Sequence, residues 1–254
     1  ALRYEDLTES QKITLYDILT RQARDEQMLC FITGGGGCGK TALTKSLMYY
    51  LDLMGKTVAC CATSGCAATL LSGYTVHKMC GLRVDLDVDK MQPKRRVALA
   101  LVDVVFVDEW SMMTTALHDA LDSCLRKAKG TNKPFGGCTV ICVGDLCQVP
   151  PVIDKNVQYL SGDDGMMQLH FGRTSHAGKA VWLDKAKFSL FNKYVLSGNK
   201  RQAGEVDFQS ILAKMRVGQK LDDEQFEQLL NNFRSFEDAM TMVIYFDFDQ
   251  SELR

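Results

Sequence analysis

The sequence predicts an α/β fold, a parallel sheet with helices on both faces. Three observations lead there. Four short apolar runs, at 28–33, 57–62, 101–107 and 139–143, are separated by stretches with helical spacing. They are rich in β-branched residues and do not alternate with polar ones, as expected of strands buried on both faces. Each run is followed by polar or glycine-rich residues, and ligands in such sheets bind at the carboxyl ends of the strands.

In chain order, 8–24 carries apolar residues at helical spacing, with Ile13, Leu15, Tyr16, Ile18 and Leu19. The first apolar run ends in four glycines, Gly34 to Gly37. Residues 41–53 are helical in pattern, and the second run follows. A polar region at 83–97 carries Lys94, Arg95 and Arg96 before the third run. A helix is expected at 115–129, then the fourth run. Residues 154–178, rich in Gly, Asp, Ser and His, read as an irregular surface insertion. Helical patterns return at 208–215 and 222–233, and 242–246 is strand-like. The expected division is a domain over 1–152 and a remainder over 153–254. There are no internal repeats.

Composition sets limits. The chain has 254 residues, 46% hydrophobic and 24% charged, with a formal net charge of -1. A whole-chain basic field is therefore excluded, and any affinity for nucleic acid must come from local patches. The ten cysteines form no CxxC pair, and His77, His118, His170 and His176 stand at no zinc-ligand spacing. Cys30, Cys60, Cys61, Cys138 and Cys142 lie within apolar runs or directly beside one, which suggests structural thiols in a reducing, intracellular compartment. No apolar run approaches the roughly 20 residues of a membrane span, so no membrane partner is expected. The first residue is Ala, which hints at a piece of a longer protein.

Gly34-Gly35-Gly36-Gly37-Cys38-Gly39-Lys40-Thr41 fits G-x-x-x-x-G-K-[ST] between a strand and a helix, the context that makes a P-loop. Gly36, Gly37, Cys38, Gly39, Lys40, Thr41 and Ala42 form the candidate phosphate cradle. Glycine lets backbone N–H groups turn inward, and the helix start adds its positive dipole end. Lys40 would neutralise the β- and γ-phosphates of ATP, and the Thr41 hydroxyl would ligate Mg2+. The third apolar run leads straight into Asp108-Glu109. Asp108 is placed to hold Mg2+ through its water shell, and Glu109 to act as general base toward the attacking water. Together they imply hydrolysis as well as binding.

After the fourth run the chain reads Gly144-Asp145-Leu146-Cys147-Gln148-Val149-Pro150-Pro151-Val152, preceded by Lys133-Pro134-Phe135-Gly136-Gly137. This pairing resembles the sensor segment of the petite-integration-frequency DNA helicases, a superfamily-one family related to RecD and Dda. Other segments match in order. Leu7-Thr8-Glu9-Ser10-Gln11 resembles the family's adenine-reading motif, and 62–68, 73–77 with 81–82, and 108–112 resemble its next boxes. Lys200-Arg201-Gln202 is similar to its arginine-finger signature.

The resemblance implies a RecA-like P-loop motor domain, present as the N-terminal half of an ATP-dependent, five-prime to three-prime DNA helicase. It also implies ATP and Mg2+ as cofactors, single-stranded DNA and DNA forks as partners, and roles in repair, recombination and telomere maintenance. Gln11 would read the adenine, Gln148 would link the γ-phosphate to strand movement, and Arg201 would stabilise the phosphoryl transition state. Ser64, Thr75, His77 and Pro150 would line the DNA track. Taken singly, Ser64, Thr75 and His77 read equally well as loop residues that cap helices. The 83–97 region falls where the family carries a strand-separating wedge, and a solvated charged loop is the alternative.

Cys38, Trp110 and Lys200 depart from the family pattern. A thiol at a helix start also raises the idea of a redox switch at Cys38. The family's second motor domain is not recognisable in this sequence. The expectation is a monomer that binds ATP, hydrolyses it slowly and does not unwind DNA without that domain. Two other readings remain open: a nucleotide-dependent DNA-binding module, and an oligomeric P-loop ATPase.

Overall fold

The Thr-Glu-Ser-Gln stretch at 8–11 starts helix α1 (Glu9–Ala23). The Thr8 hydroxyl accepts from the Gln11 N–H, and the Gln11 side-chain carbonyl accepts from the Thr8 N–H at 2.8 Å, a complete capping box. The computed structural model describes residues 4–83, 85–148, 150–151, 179–197, 210–211, 213–214 and 219–225, and the backbone of 158–161 and 167–170. The chain divides into two units, 1–198 and 199–254.

The first unit follows the order β1 (Leu29–Thr33), α2 (Lys40–Leu53), β2 (Val58–Ala62), α3 (Gly65–Leu70), β3 (Tyr74–Thr75), α4 (Val76–Cys80) and α5 (Pro93–Ala100). It continues with β4 (Val104–Asp108), α6 (Thr115–Lys129), β5 (Thr139–Gly144), β6 (Gln158–Ser161), β7 (Met167–His170), α7 (Lys185–Ser189) and β8 (Asn192–Val195). Six strands form one parallel sheet in the order β3-β2-β4-β5-β1-β8. β5 therefore lies between β1 and β4.

Alternate residues of each central strand enter opposite cores. Cys30, Ile32, Val104, Phe106, Ile141 and Val143 join Ile18 of α1 and Leu43, Leu47 and Leu51 of α2. Phe31, Val105, Val107, Val140 and Cys142 join Met79 of α4 and Leu117, Leu121 and Leu125 of α6. Both faces are thus covered, which explains why these strands read as continuous apolar runs. All ten cysteines are free, and those in the runs are buried, except for the half-buried Cys60.

Several elements differ from expectation. The sheet takes in β8, so the expected boundary after 152 falls inside the first unit. Part of 154–178 is regular: β6 and β7 pair antiparallel. The 83–97 region contains a short 3-10 turn, Val88–Lys90, and the start of α5, and it is folded back onto α6. Lys127 donates to Asp89 at 2.8 Å and to the Val88 carbonyl at 3.2 Å, while Met91 and Leu99 are buried. Lys94 and Arg96 stay exposed on this packed segment. At the expected helices, residues 210–211, 213–214 and 223–225 are helical. The 242–246 strand lies outside the described residues.

The turn before β5 is tightly constrained. Gly136 has φ +64°, and a Cβ there would stand 2.5 Å from the Leu125 carbonyl oxygen of α6. Phe135 beside it is buried, with its ring edge-on to His118 at 5.2 Å. Gly136→Ala is expected to cost about 2–4 kcal/mol, combining left-handed strain with overpacking. Urea unfolding followed by tryptophan fluorescence would show a lower midpoint at unchanged slope.

Candidate active site

The register brings the candidate residues to one level. Thr33 pairs with Gly144, Val107 with Cys142, and Ala62 with Asp108. The P-loop after β1, the acid pair at the end of β4 and the 145–148 loop after β5 therefore leave the same end of the sheet.

Within the P-loop, Gly37 and Gly39 both adopt φ +82°, and Gly39 caps α2. Lys40 Nζ donates to the carbonyls of Gly34 at 2.7 Å and Gly35 at 3.1 Å. Thr41 is exposed and Ala42 half-buried in the first turn of α2. Cys38 is only 4% exposed, and its Sγ would lie 2.6 Å from a Cβ on Gly34. A thiol so enclosed would meet an oxidant only if the P-loop opened.

Gln11 has a role that the sequence does not reveal. It is 1% exposed, and its Nε2 donates to the Cys38 carbonyl at 3.0 Å and the Gly39 carbonyl at 3.4 Å. With its carbonyl held by Thr8, the amide is engaged at both ends and braces the P-loop from beneath. A Cβ on Gly39 would come within 2.3 Å of that Nε2, so the close approach requires glycine. Reading adenine would require this amide to release the loop.

Glu109 follows β4 in a left-handed conformation, φ 50° and ψ 43°. That turn is held by Thr63, whose N–H donates to the Asp108 carbonyl at 3.3 Å and whose hydroxyl donates to the Glu109 carbonyl at 2.9 Å. Burial pushes the Asp108 carboxyl above its usual range, opposed by the Glu109 backbone N–H and by the Lys40 charge. Burial also raises Glu109, with Asp108 adding to the effect and Lys40 opposing it. Trp110 is buried against Phe31 at 5.0 Å, Phe191 at 5.2 Å and Phe188 at 5.9 Å. It fills the core beneath the acid pair. Trp182 Nε1 donates to the Ser111 carbonyl at 2.9 Å, anchoring the next turn.

Gln148 is exposed, and its Nε2 donates to Asp145 Oδ2 at 3.1 Å. Asp145 is 1% exposed and also accepts from the Cys147 N–H at 3.1 Å. Asp145 and Thr63 thus join the site, beyond the residues that the sequence motifs assign to it. Each directly follows the carboxyl end of a strand, β5 and β2, which is the signal the sequence carries for them.

Ser64 and Thr75 both cap helices. Ser64 accepts from the Ala67 N–H at 3.3 Å at the start of α3, and Thr75 from the Lys78 N–H at 3.2 Å at the start of α4. Each hydroxyl still has a proton to donate. His77 is half-buried, and burial lowers its pKa, favouring the neutral ring. Pro150 is exposed on the 145–151 segment. Arg201 lies outside the described residues. Residues 196–197 run beside the P-loop: the Leu196 N–H donates to the Thr33 carbonyl at 2.7 Å, and the Ser197 N–H to Ser10 Oγ at 3.2 Å.

Comparison with known proteins decides the family. The PIF1-like helicase family matches residues 6–225. This chain belongs to that family. The ATP-dependent DNA helicase PIF1 of Saccharomyces cerevisiae is 33% identical over 203 residues, covering 76% of this chain and 22% of the relative. The Pif1 helicase of Bdellovibrio bacteriovorus is 29% identical over 211 residues, covering 79% of this chain and 42% of the relative. The chain thus spans well under half the length of these curated relatives. Among solved structures, Pif1 helicase from Bacteroides in complex with ADP-AlF3 and ssDNA superposes with a TM-score of 0.69 at 26% identity. That match covers 91% of this chain and 51% of the other. The fold is therefore the RecA-like α/β domain of Pif1 helicases. Among the described residues, no helix is long and apolar enough to cross a membrane.

Proposed function

We propose that this chain is the ATP-binding motor half of a five-prime to three-prime DNA helicase, taking up ATP and Mg2+ and moving along single-stranded DNA. The observation that supports this most is the convergence of Lys40, Asp108, Glu109 and Gln148 at the ends of three adjacent strands, β1, β5 and β4. A binding module needs no acid placed as a base, whereas a motor does.

In this reading the P-loop amides and Lys40 hold the phosphates, and Lys40 exchanges the Gly34 and Gly35 carbonyls for phosphate oxygens. The donor set suits Mg2+, which takes one or two protein oxygens and completes its shell with phosphate and water. Thr41 offers an exposed hydroxyl and Asp108 a carboxylate whose burial is unfavourable until a cation is near. Bound there, the ion would neutralise charge on the β- and γ-phosphates. Glu109 accepts the proton of the attacking water. Gln148, released from Asp145, reaches the γ-phosphate, and its loop carries the change toward Pro150. Arg201 is assigned to the developing phosphoryl charge. Ser64, Thr75, His77 and Pro150 would line the DNA track.

ATP hydrolysis with and without oligothymidylate tests this. The chain alone should bind MgATP and turn it over slowly, and joining a second motor domain should give strong stimulation by DNA. Fast turnover by the chain alone, indifferent to DNA, would replace the helicase reading with a self-contained ATPase.

A further inference from the structure

At the edge of the sheet, beside the residues already placed on the DNA track, stands an aromatic side chain that has been given no role. Tyr74 opens β3, pairs with Cys61 of β2, and is followed by Thr75, which pairs with Ala62. Ala62 is itself level with Asp108 on β4. Tyr74 therefore sits at the carboxyl, ligand-binding end of the sheet, on its outermost strand.

Its position is tightly set. Gly73 packs so closely on β2 that a Cβ there would meet the Cys60 carbonyl oxygen at 2.5 Å. The next residue is thereby held in register while keeping 49% of its surface open to solvent. One turn into α4, Lys78 places its Nζ 4.9 Å from the centre of the Tyr74 ring. The ammonium restrains the ring and brings a positive charge beside it. A restrained aromatic next to a cation is the arrangement that holds single-stranded nucleic acid without regard to sequence. Bases stack on the ring and the backbone meets the charge.

We infer that Tyr74 is a base-stacking platform on the single-strand track and that Lys78 takes the adjoining phosphate. The inference rests on the DNA-motor reading above and adds to it a contact to bases, where Ser64, Thr75 and His77 offer only hydrogen bonds to the backbone. Because every base has a stacking face, the contact is tolerant of sequence, as translocation requires.

The test is fluorescence anisotropy of the full chain with two labelled probes, an oligothymidylate and an abasic deoxyribose-phosphate oligomer of equal length. Tyr74→Ala should weaken oligothymidylate binding on the order of tenfold and leave the abasic probe unchanged, while Tyr74→Phe binds both as the unsubstituted chain does. Lys78→Gln should weaken both probes and reduce the salt slope by about one. His77→Ala is the reference for a backbone contact and should weaken both. If Tyr74→Ala binds oligothymidylate unchanged, or loses both probes equally, the platform is overturned while the motor reading stands. If the unsubstituted chain binds neither probe, the DNA-track reading fails, and the platform with it. Circular dichroism of each variant confirms folding, which a half-exposed edge residue should not disturb.

Discussion

Glu109→Gln should leave ATP binding intact and lower hydrolysis by about two to four decades, the range a positioned general base contributes. The amide keeps the size of the carboxyl, and the left-handed turn that places it is held through backbone carbonyls by Thr63, so the fold should not notice the change. The pH dependence gives an independent reading. Burial and the neighbouring Asp108 raise the Glu109 pKa above the usual carboxylate range in the free chain. The base is active when deprotonated, so kcat/KM should rise with pH through that elevated value and level off above it. In Glu109→Gln the residual rate should lose this limb. Nucleotide affinity is read from a fluorescent ATP analogue and turnover from phosphate release. A variant that hydrolyses at the parental rate would remove Glu109 from the reaction.

Lys40→Ala should produce the complementary defect, with binding itself weakened. Lys40 Nζ stands between two P-loop carbonyls, at 2.7 Å and 3.1 Å, in the place from which it would turn to phosphate. A hydrogen bond to a charged group contributes about 1.5–3 kcal/mol, so affinity for MgATP should fall by about one to two decades and turnover with it. The loop should survive without the ammonium, because Gln11 holds the Cys38 and Gly39 carbonyls from the other side. If Lys40→Ala binds nucleotide normally while Glu109→Gln does not, the two assignments are reversed.

The central strands and their helices were legible because burial on both faces leaves a run with no polar interruptions. The match of 115–129 with α6 shows how far periodicity carries in a 15-residue helix. Shorter pieces left no such mark. β3 has two residues, α4 has five and α3 has six, too few for a period to show. β8 reads Asn192-Lys193-Tyr194-Val195, a four-residue edge strand that opens with two exposed polar residues and so lacks the continuous apolar run of the central strands. At the site, the P-loop and the acid pair follow from residue type and order. The direction in which Gln11 and Gln148 turn their amides does not, because it is fixed by partners distant in sequence or by a buried acid that composition cannot distinguish from a surface one.

The place of β5 between β1 and β4 has a mechanical consequence. Its backbone is bonded to a neighbour on each side, so sideways displacement is resisted from both flanks. The 145–148 loop lies beyond this paired stretch, and it leads to the exposed Pro150. In the proposed motor, a change at the phosphates would therefore be passed on by the 145–148 loop while the strand beneath it stays fixed.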